Sequence, residues 1–267
     1  MTTETSQDIT AADAPVKIRL SGLRKSFGDK QVLKGLDLDI REGESLVIIG
    51  GSGSGKSVLL KHIIGLLQPD DGTVVVDGVD LATLDGRDLT QFRQRYGMAF
   101  QEGALFDSMT VFENVAFPLR RRRELPRQEI DRRVSRCLDL VRLEGVDDKM
   151  PGQLSGGMRR RVGFARAIAL EPQIVLFDEP TTGLDPITTA LIDEVILAML
   201  DRLGSTAVTI THDMTSAFRI ADRIGLLHRG EIVALDEPEA FRRHPDPRVQ
   251  QFIHGEVDEA FAASPQR

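Results

Sequence analysis

An α/β protein with a largely parallel sheet is predicted by three observations. Compact apolar runs of strand length alternate with stretches of helical periodicity. A glycine-rich turn of the form G-x-x-x-x-G-K-S joins one such run to one such stretch. A later run ends in paired carboxylates.

Element by element, Met1–Pro15 is polar and reads as a disordered tail, without the basic-then-apolar pattern of a secretory signal. Ile18–Leu20, Gln31–Leu33 and Leu36–Ile40 alternate as strands do, with a turn at Phe27-Gly28-Asp29-Lys30. Ser45–Ile49 is a buried-strand run, followed by glycines and then by helical spacing over Val58–Leu67. Val74–Val76 is a further strand, closed by the Asp77-Gly78 turn, and Gly97–Phe100 is strand-like. After Pro126, apolar Ile130, Val134, Leu138 and Val141 recur at three and four residues, an amphipathic helix. Gly156 and Gly157 open another helix, with apolar Val162, Ala165, Ile168 and Ala169. Ile174–Phe177, Ala207–Ile210 and Ile224–Leu227 are strands, separated by helical Thr189–Leu203 and Thr215–Ala221.

Composition narrows the function classes. The chain has 267 residues, 28% charged and 41% hydrophobic, as in ordinary globular proteins. A net charge of −7 argues against nucleic acid as a partner, because phosphate contacts need a basic surface. The single cysteine, Cys137, rules out a disulfide framework and a CxxC metal site, and makes a reducing cytoplasm the simplest home. No apolar run approaches the roughly 20 residues that a bilayer-spanning helix needs. A membrane role would therefore run through a partner.

The strongest chemical signal is Gly50, Gly51, Ser52, Gly53, Ser54, Gly55, Lys56 and Ser57. Glycines let such a loop wrap with its N–H groups inward, a nest for phosphate oxygens, and the following helix adds its positive end. Lys56 is placed to reach the β- and γ-phosphates, and the Ser57 hydroxyl to ligate Mg²⁺. The second signal is Ile174–Pro180. Its four apolar residues carry Asp178 and Glu179 to the end of a strand, where α/β proteins bind ligands. Asp178 would hold Mg²⁺ through water, and Glu179 would orient or deprotonate the water that attacks the γ-phosphate. The third is the helix start Ser155-Gly156-Gly157, a backbone-open anion site far along the chain from the first.

With Leu154–Met158 reading LSGGM, the chain resembles the ATP-binding subunits of ABC transporters along nearly its whole length. The resemblance implies a P-loop NTPase (RecA-like) core with an N-terminal antiparallel β subdomain and an inserted α-helical subdomain. The cassette would span residues 16–243, with the helical part at about 102–165, followed by a C-terminal extension at 244–267. It also implies roles. Phe27 matches an aromatic that stacks on adenine, although an aromatic before a Gly-Asp turn is as readily a packing residue. Gln101 matches the glutamine that contacts Mg²⁺ and the lytic water. Asp185 lies in the D-loop Gly183-Leu184-Asp185, and His212 matches the γ-phosphate switch. In this family a homodimer closes head to tail over two ATP molecules. Ser155, Gly156 and Gly157 then cap the γ-phosphate held by the other subunit's glycine loop.

Met158 in the signature, the run Phe100–Arg120 and the tail His244–Gly255 are similar to the subset that serves MCE-type (Mla) phospholipid transporters. That likeness implies an integral membrane permease (MlaE-like), a small STAS-domain protein (MlaB-like) and a periplasmic MCE-domain protein as partners. It also implies a peripheral position on the cytoplasmic face of the bacterial inner membrane, and a role for Arg248–Phe252 in tying the dimer. An importer or exporter for another cargo stays open, because cargo is chosen by proteins outside this sequence. A DNA or ribosome ATPase is disfavoured by the single cassette and the short span between phosphate loop and signature. An adaptor that does not hydrolyse ATP is disfavoured by Glu179 and His212.

Two features have a sharp and a plain reading. Arg120–Arg123 with Arg127, Arg132, Arg133 and Arg136 either faces anionic lipid or is a solvated helix face with Glu124, Glu129 and Asp131 interleaved; the second is preferred. Phe106, Met109, Val111, Phe112, Val115 and Phe117 either line a groove for a permease helix or belong to the core.

Overall fold

The first two strands found an antiparallel sheet at the N-terminal end of the chain. β1 (Val16–Phe27) and β2 (Lys30–Arg41) alternate aliphatic with polar residues and pair across the Gly28-Asp29 turn, burying Ile18, Leu20 and Leu23 with Leu36, Leu38 and Ile40. The two short runs expected at Gln31–Leu33 and Leu36–Ile40 are one strand. Gly35, at φ 93°, takes up an extra residue as a bulge, which breaks the alternation without ending the pairing.

The computed structural model describes residues 14–121 and 125–255. Most of the tail expected at 1–15, Arg122, Arg123 and Glu124, and residues 256–267 of the extension lie outside the described residues. Pro15 already joins the fold, its C=O accepting from the Glu42 N–H at 2.8 Å.

β3 (Ser45–Ile49) is buried at all five positions and leads through the glycine loop into α1 (Lys56–Ile63). β4 (Asp71–Val76) adds antiparallel to β1, and β5 (Val79–Asp80) completes that sheet in the order β2-β1-β4-β5. α2 (Gly86–Phe92) precedes β6 (Tyr96–Ala99). Three helices then intervene before the next strand: α3 (Val111–Arg120), α4 (Arg127–Leu140) and α5 (Gly156–Ile168). After them come β7 (Ile174–Asp178), α6 (Pro186–Leu203), β8 (Thr206–Thr211), α7 (Met214–Ile220), β9 (Arg223–His228), β10 (Glu231–Asp236), α8 (Pro238–Arg242) and α9 (Pro247–His254). The main sheet runs β10-β9-β3-β8-β7-β6, parallel from β9 to β6, with β10 antiparallel at its edge.

Period-two alternation divides every central strand between two cores. Leu46 and Ile48 of β3, Ile174 and Leu176 of β7, and Val208 and Ile210 of β8 pack with α1 and the antiparallel sheet. Val47 and Ile49, Val175 and Phe177, and Ala207 pack with α3 to α7. Phe164 of α5 meets Phe177 edge-on at 5.4 Å, tying the helical region to the sheet; removing either ring would cost about 3–5 kcal/mol.

α3 begins with a Thr110/Glu113 capping box, and its Val111 and Val115 are buried. That assigns these two of the six residues of the apolar run to the core. Buried Asn114 fixes the approach to α3, donating to the C=O groups of Phe106, Met109 and Thr110 and accepting from the Phe106 N–H. Along α4, Glu129 pairs with Arg132 and Arg133, and Arg136 with Glu171, as a solvated face requires. Among the described residues, no helix is long and apolar enough to cross a membrane.

Candidate functional site

Four neighbouring parallel strands end at the same edge, and the residues singled out by sequence follow directly from them. Gly50 follows β3, Gln101 lies just beyond β6, Glu179 follows β7 and His212 follows β8. Carboxyl ends of adjacent parallel strands are where α/β sheets hold ligands.

The loop after β3 needs its glycines. A Cβ on Gly50 would stand 2.4 Å from the Leu227 carbonyl oxygen, and Gly55, the N-cap of α1, sits at φ 111° against Leu33 and the Val32 C=O. The contact with Leu33 also brings the β1–β2 hairpin against the loop, with the Phe27 ring near its tip half exposed and Lys25 Nζ 5.8 Å from the ring centroid. Ser52, Gly51 and Gly53 are exposed, whereas Ser54 is buried and its Oγ has no hydrogen-bond partner. Lys56 is buried too, and its ammonium donates to the C=O groups of Gly50 at 2.6 Å and Gly51 at 3.2 Å. Burial lowers its pKa, opposed by the charges of Glu179 and Asp178. Ser57 is exposed at the first turn of α1.

Opposite stand the two carboxylates. Burial raises the Asp178 pKa, helped by Glu179 next to it and opposed by Lys56. Glu179 has a left-handed backbone, φ 50°, an uncommon conformation for a non-glycine residue, fixed by its N–H donating to the Ile210 C=O at 2.9 Å. Its carboxylate accepts from Thr182 Oγ1 at 2.7 Å and His212 Nδ1 at 2.8 Å, and lies 3.9 Å from Lys56 Nζ. The His212 side chain is 58% exposed. Lysine, carboxylate and imidazole therefore form one cluster, reached from three strands.

The remaining predicted residues are placed as follows. Gln101 is exposed, and its C=O accepts from buried Arg160 at 2.5 Å. Ser155 caps α5, its Oγ accepting from the Met158 N–H at 3.3 Å. Gly156 is exposed, and Gly157 is buried against Thr188. Asp185 caps α6, accepting from the Ile187 and Thr188 N–H groups and the Thr188 hydroxyl, bonds that lower its pKa. Sequence reasoning passed over Thr182 and Arg160. The first follows Glu179 by three residues, a spacing that only the turn after the strand makes meaningful. The second is one of three successive arginines, and nothing local marks which of them is buried.

The ABC transporter family model matches residues 33–182. The chain is 42% identical over 240 residues to the probable ribonucleotide transport ATP-binding protein mkl of Mycobacterium leprae, covering 90% of this chain and 69% of that protein. It is 40% identical over 241 residues to the intermembrane phospholipid transport system ATP-binding protein MlaF of Haemophilus influenzae, covering 90% of this chain and 91% of that one. Among solved structures, the dimeric post-hydrolysis state of the ATP-binding cassette MJ0796 bound to ADP and Pi superposes with a TM-score of 0.76 at 35% identity. It covers 83% of this chain and 98% of that one. Such a cassette works with a membrane permease and pairs with a second cassette. The chain belongs to the ABC transporter family, as one of its ATP-hydrolysing, Mg²⁺-using cassettes.

Proposed function

We propose that this cassette powers phospholipid transport by an MCE/Mla-type complex at the cytoplasmic face of the bacterial inner membrane. ATP-driven closure of a homodimer would be the working stroke. The observation that carries the ATPase is the cluster of Lys56, Glu179 and His212 at one sheet edge. What supports the cargo is the likeness to MlaF proteins, 40–41% identical over 86–91% of their length. Relatives named for ribonucleotide transport match over a smaller share of theirs, 67–69%, and keep another cargo as the second reading.

In this reading Gly50–Ser57 wraps the phosphates. The unpartnered Ser54 Oγ and the Lys56 ammonium, hydrogen-bonded to the loop's own carbonyls, fit an anion there. Phe27 stacks on the base. Ser57, Gln101 and Asp178 would hold Mg²⁺. The ion, when bound, offsets phosphate charge. Glu179, steadied by Thr182, takes a proton from the attacking water, and His212 contacts the γ-phosphate through the ring nitrogen that Glu179 leaves free. Ser155, Gly156 and Gly157 cap the γ-phosphate of the partner cassette, with Asp185 shaping the turn beside them. The groove of Phe100, Phe106, Phe117, Pro118, Arg166 and Leu170, about 370 Å³, receives the MlaE-like permease. An MlaB-like STAS protein and an MCE-domain protein complete the complex.

The test is capture of tagged Glu179→Gln protein from detergent-solubilised native membranes in ATP, followed by mass spectrometry. A permease eluting with an MCE-domain protein and phospholipid is expected. A permease with a soluble solute-binding protein would move the assignment to another importer. Recovery of no membrane protein would overturn the transport reading.

A further inference from the structure

Two loops of the proposed site are held by one buried side chain that the chemistry itself does not use. Arg160 lies on α5, one turn beyond the Ser155-Gly156-Gly157 start, and is 7% exposed. Its guanidinium donates from Nε to the Gln101 C=O at 2.5 Å, from one terminal nitrogen to the Pro180 C=O at 3.2 Å, and from the other to the Thr182 C=O. The first acceptor belongs to the turn after β6, and the other two to the turn after Glu179. All three are backbone carbonyls, and burial pulls the arginine's pKa down. A charged group is retained in such surroundings only where its hydrogen bonds are satisfied, and the planar fork of arginine reaches three divergent acceptors as a lysine ammonium cannot.

The seam around it leaves little slack. A Cβ on Gly163 of α5 would lie 2.7 Å from the Cα of Gly103, and one on Gly103 would lie 2.7 Å from the Arg159 C=O. Backbone therefore packs directly on backbone, with no side chain between. Arg166, one and a half turns further on, donates to the C=O groups of Gly103 and Ala104 at 2.9 Å and stands 5.7 Å from the Phe106 ring. The turn after β6 is thus fastened to α5 at residues 101, 103 and 104. Only Arg160 also reaches the segment that carries Glu179 and its partner Thr182.

We propose that Arg160 is a positioning residue: by its three carbonyl contacts it locks the Gln101 turn and the Pro180–Thr182 turn to α5. A displacement of either turn is thereby transmitted to the helix start at Ser155–Gly157 and to the Glu179 carboxylate together. The inference rests on the assignment of Glu179 as the water-activating base made above.

The test compares Arg160→Lys, Arg160→Gln and Arg166→Lys in the otherwise intact chain. It uses steady-state ATP hydrolysis, binding of a fluorescent ATP analogue, and hydrogen–deuterium exchange resolved by peptide. Arg160→Lys is expected to lower kcat tenfold or more with analogue affinity changed less than twofold. Exchange should speed up in both the 101–103 and the 180–183 segments. Arg166→Lys is expected to loosen only the first of these. A double variant with Gln101→Ala is expected to fall well short of the product of the two single losses, because both act through one turn. If Arg160→Lys does not fold, Arg160→Gln, which keeps a donor for one carbonyl, carries the same comparison. Unchanged kcat, or exchange confined to one segment, overturns the proposal. A fully active Glu179→Gln would instead overturn the assignment on which it rests, so the two failures are told apart.

Discussion

The helix starts of α1 and α5 are both glycine-bearing and both suited to an anion, yet they are furnished very differently. At α1 the loop is folded on itself, with Ser54 and Lys56 buried and Glu179 3.9 Å from the ammonium. At α5 the start offers backbone N–H groups and a helix dipole, Ser155 and Gly156 are exposed, and the nearest basic group, Arg159, is engaged with the Leu154 C=O. The first start has its own counter-charge and its own carboxylate. The second has only Arg159, already engaged with a carbonyl, and is the weaker anion site when it stands alone. A site so furnished gains by being completed from another surface, which is what the paired-cassette reading supplies.

The largest effect expected on the α1 side comes from Glu179→Gln. It keeps the shape and can still meet Thr182 and His212, but it cannot accept the water's proton. Hydrolysis should fall about 10²–10⁴-fold while ATP is still bound. Steady-state rates with a parallel binding titration check it, and near-normal turnover would remove the base from the scheme.

The α5 side is best probed at Gly156. A Cβ there meets nothing nearer than Arg159 at 4.0 Å, whereas one on Gly157 would stand 2.7 Å from the Thr188 methyl and disturb the subunit itself. Gly156→Asp therefore introduces charge without an internal clash. Like-charge contact with a partner-bound phosphate costs several kcal/mol, so hydrolysis should drop roughly 100-fold or more while nucleotide binding by the monomer is unchanged. If hydrolysis survives in Gly156→Asp, or monomer binding is lost, the two starts do not meet across a dimer.

Next in size is Thr182→Val, which removes one of the two hydrogen bonds to the Glu179 carboxylate. A bond to a charged group contributes about 1.5–3 kcal/mol, so kcat should fall roughly 10- to 100-fold with KM steady. A rise in KM alone would mean that Thr182 serves nucleotide binding rather than the carboxylate.

The difference between the two starts also explains what could be read from the chain. Gly50–Ser57 and Asp178-Glu179 are legible because their chemistry is contiguous with a strand or helix signal. Gln101 and His212 carry no local signal, and only their order along the chain points to them. Thr182 and Arg160 act through partners that are created by folding, since the carbonyls that hold Arg160 come from turns remote in sequence. The same holds for the fold. The buried parallel strands are plain as apolar runs, whereas the equally apolar Ile232–Leu235 forms β10, a half-buried edge strand with a register shift, which the strand reading leaves out. α3 shows in the sequence only as an apolar run, because its buried Val111 and Val115 share the segment with the half-exposed Phe112 and Phe117.

The smallest expected effect concerns Phe27, where the plain and the sharp readings predict different observables. The ring is 49% exposed at the tip of a hairpin that touches the glycine loop at Gly55 through Val32 and Leu33. A ring so exposed adds little to the core, so Phe27→Ala should leave the melting temperature nearly unchanged. If it stacks on the base, the lost contact is worth about 0.5–1.5 kcal/mol, and KM for ATP should rise roughly two- to tenfold with kcat intact. The ratio of KM for ATP to that for GTP should also move, because stacking strength depends on the base whereas phosphate wrapping does not. A lower melting temperature at unchanged KM would assign the ring to packing and confine nucleotide recognition to the phosphate end of the α1 start.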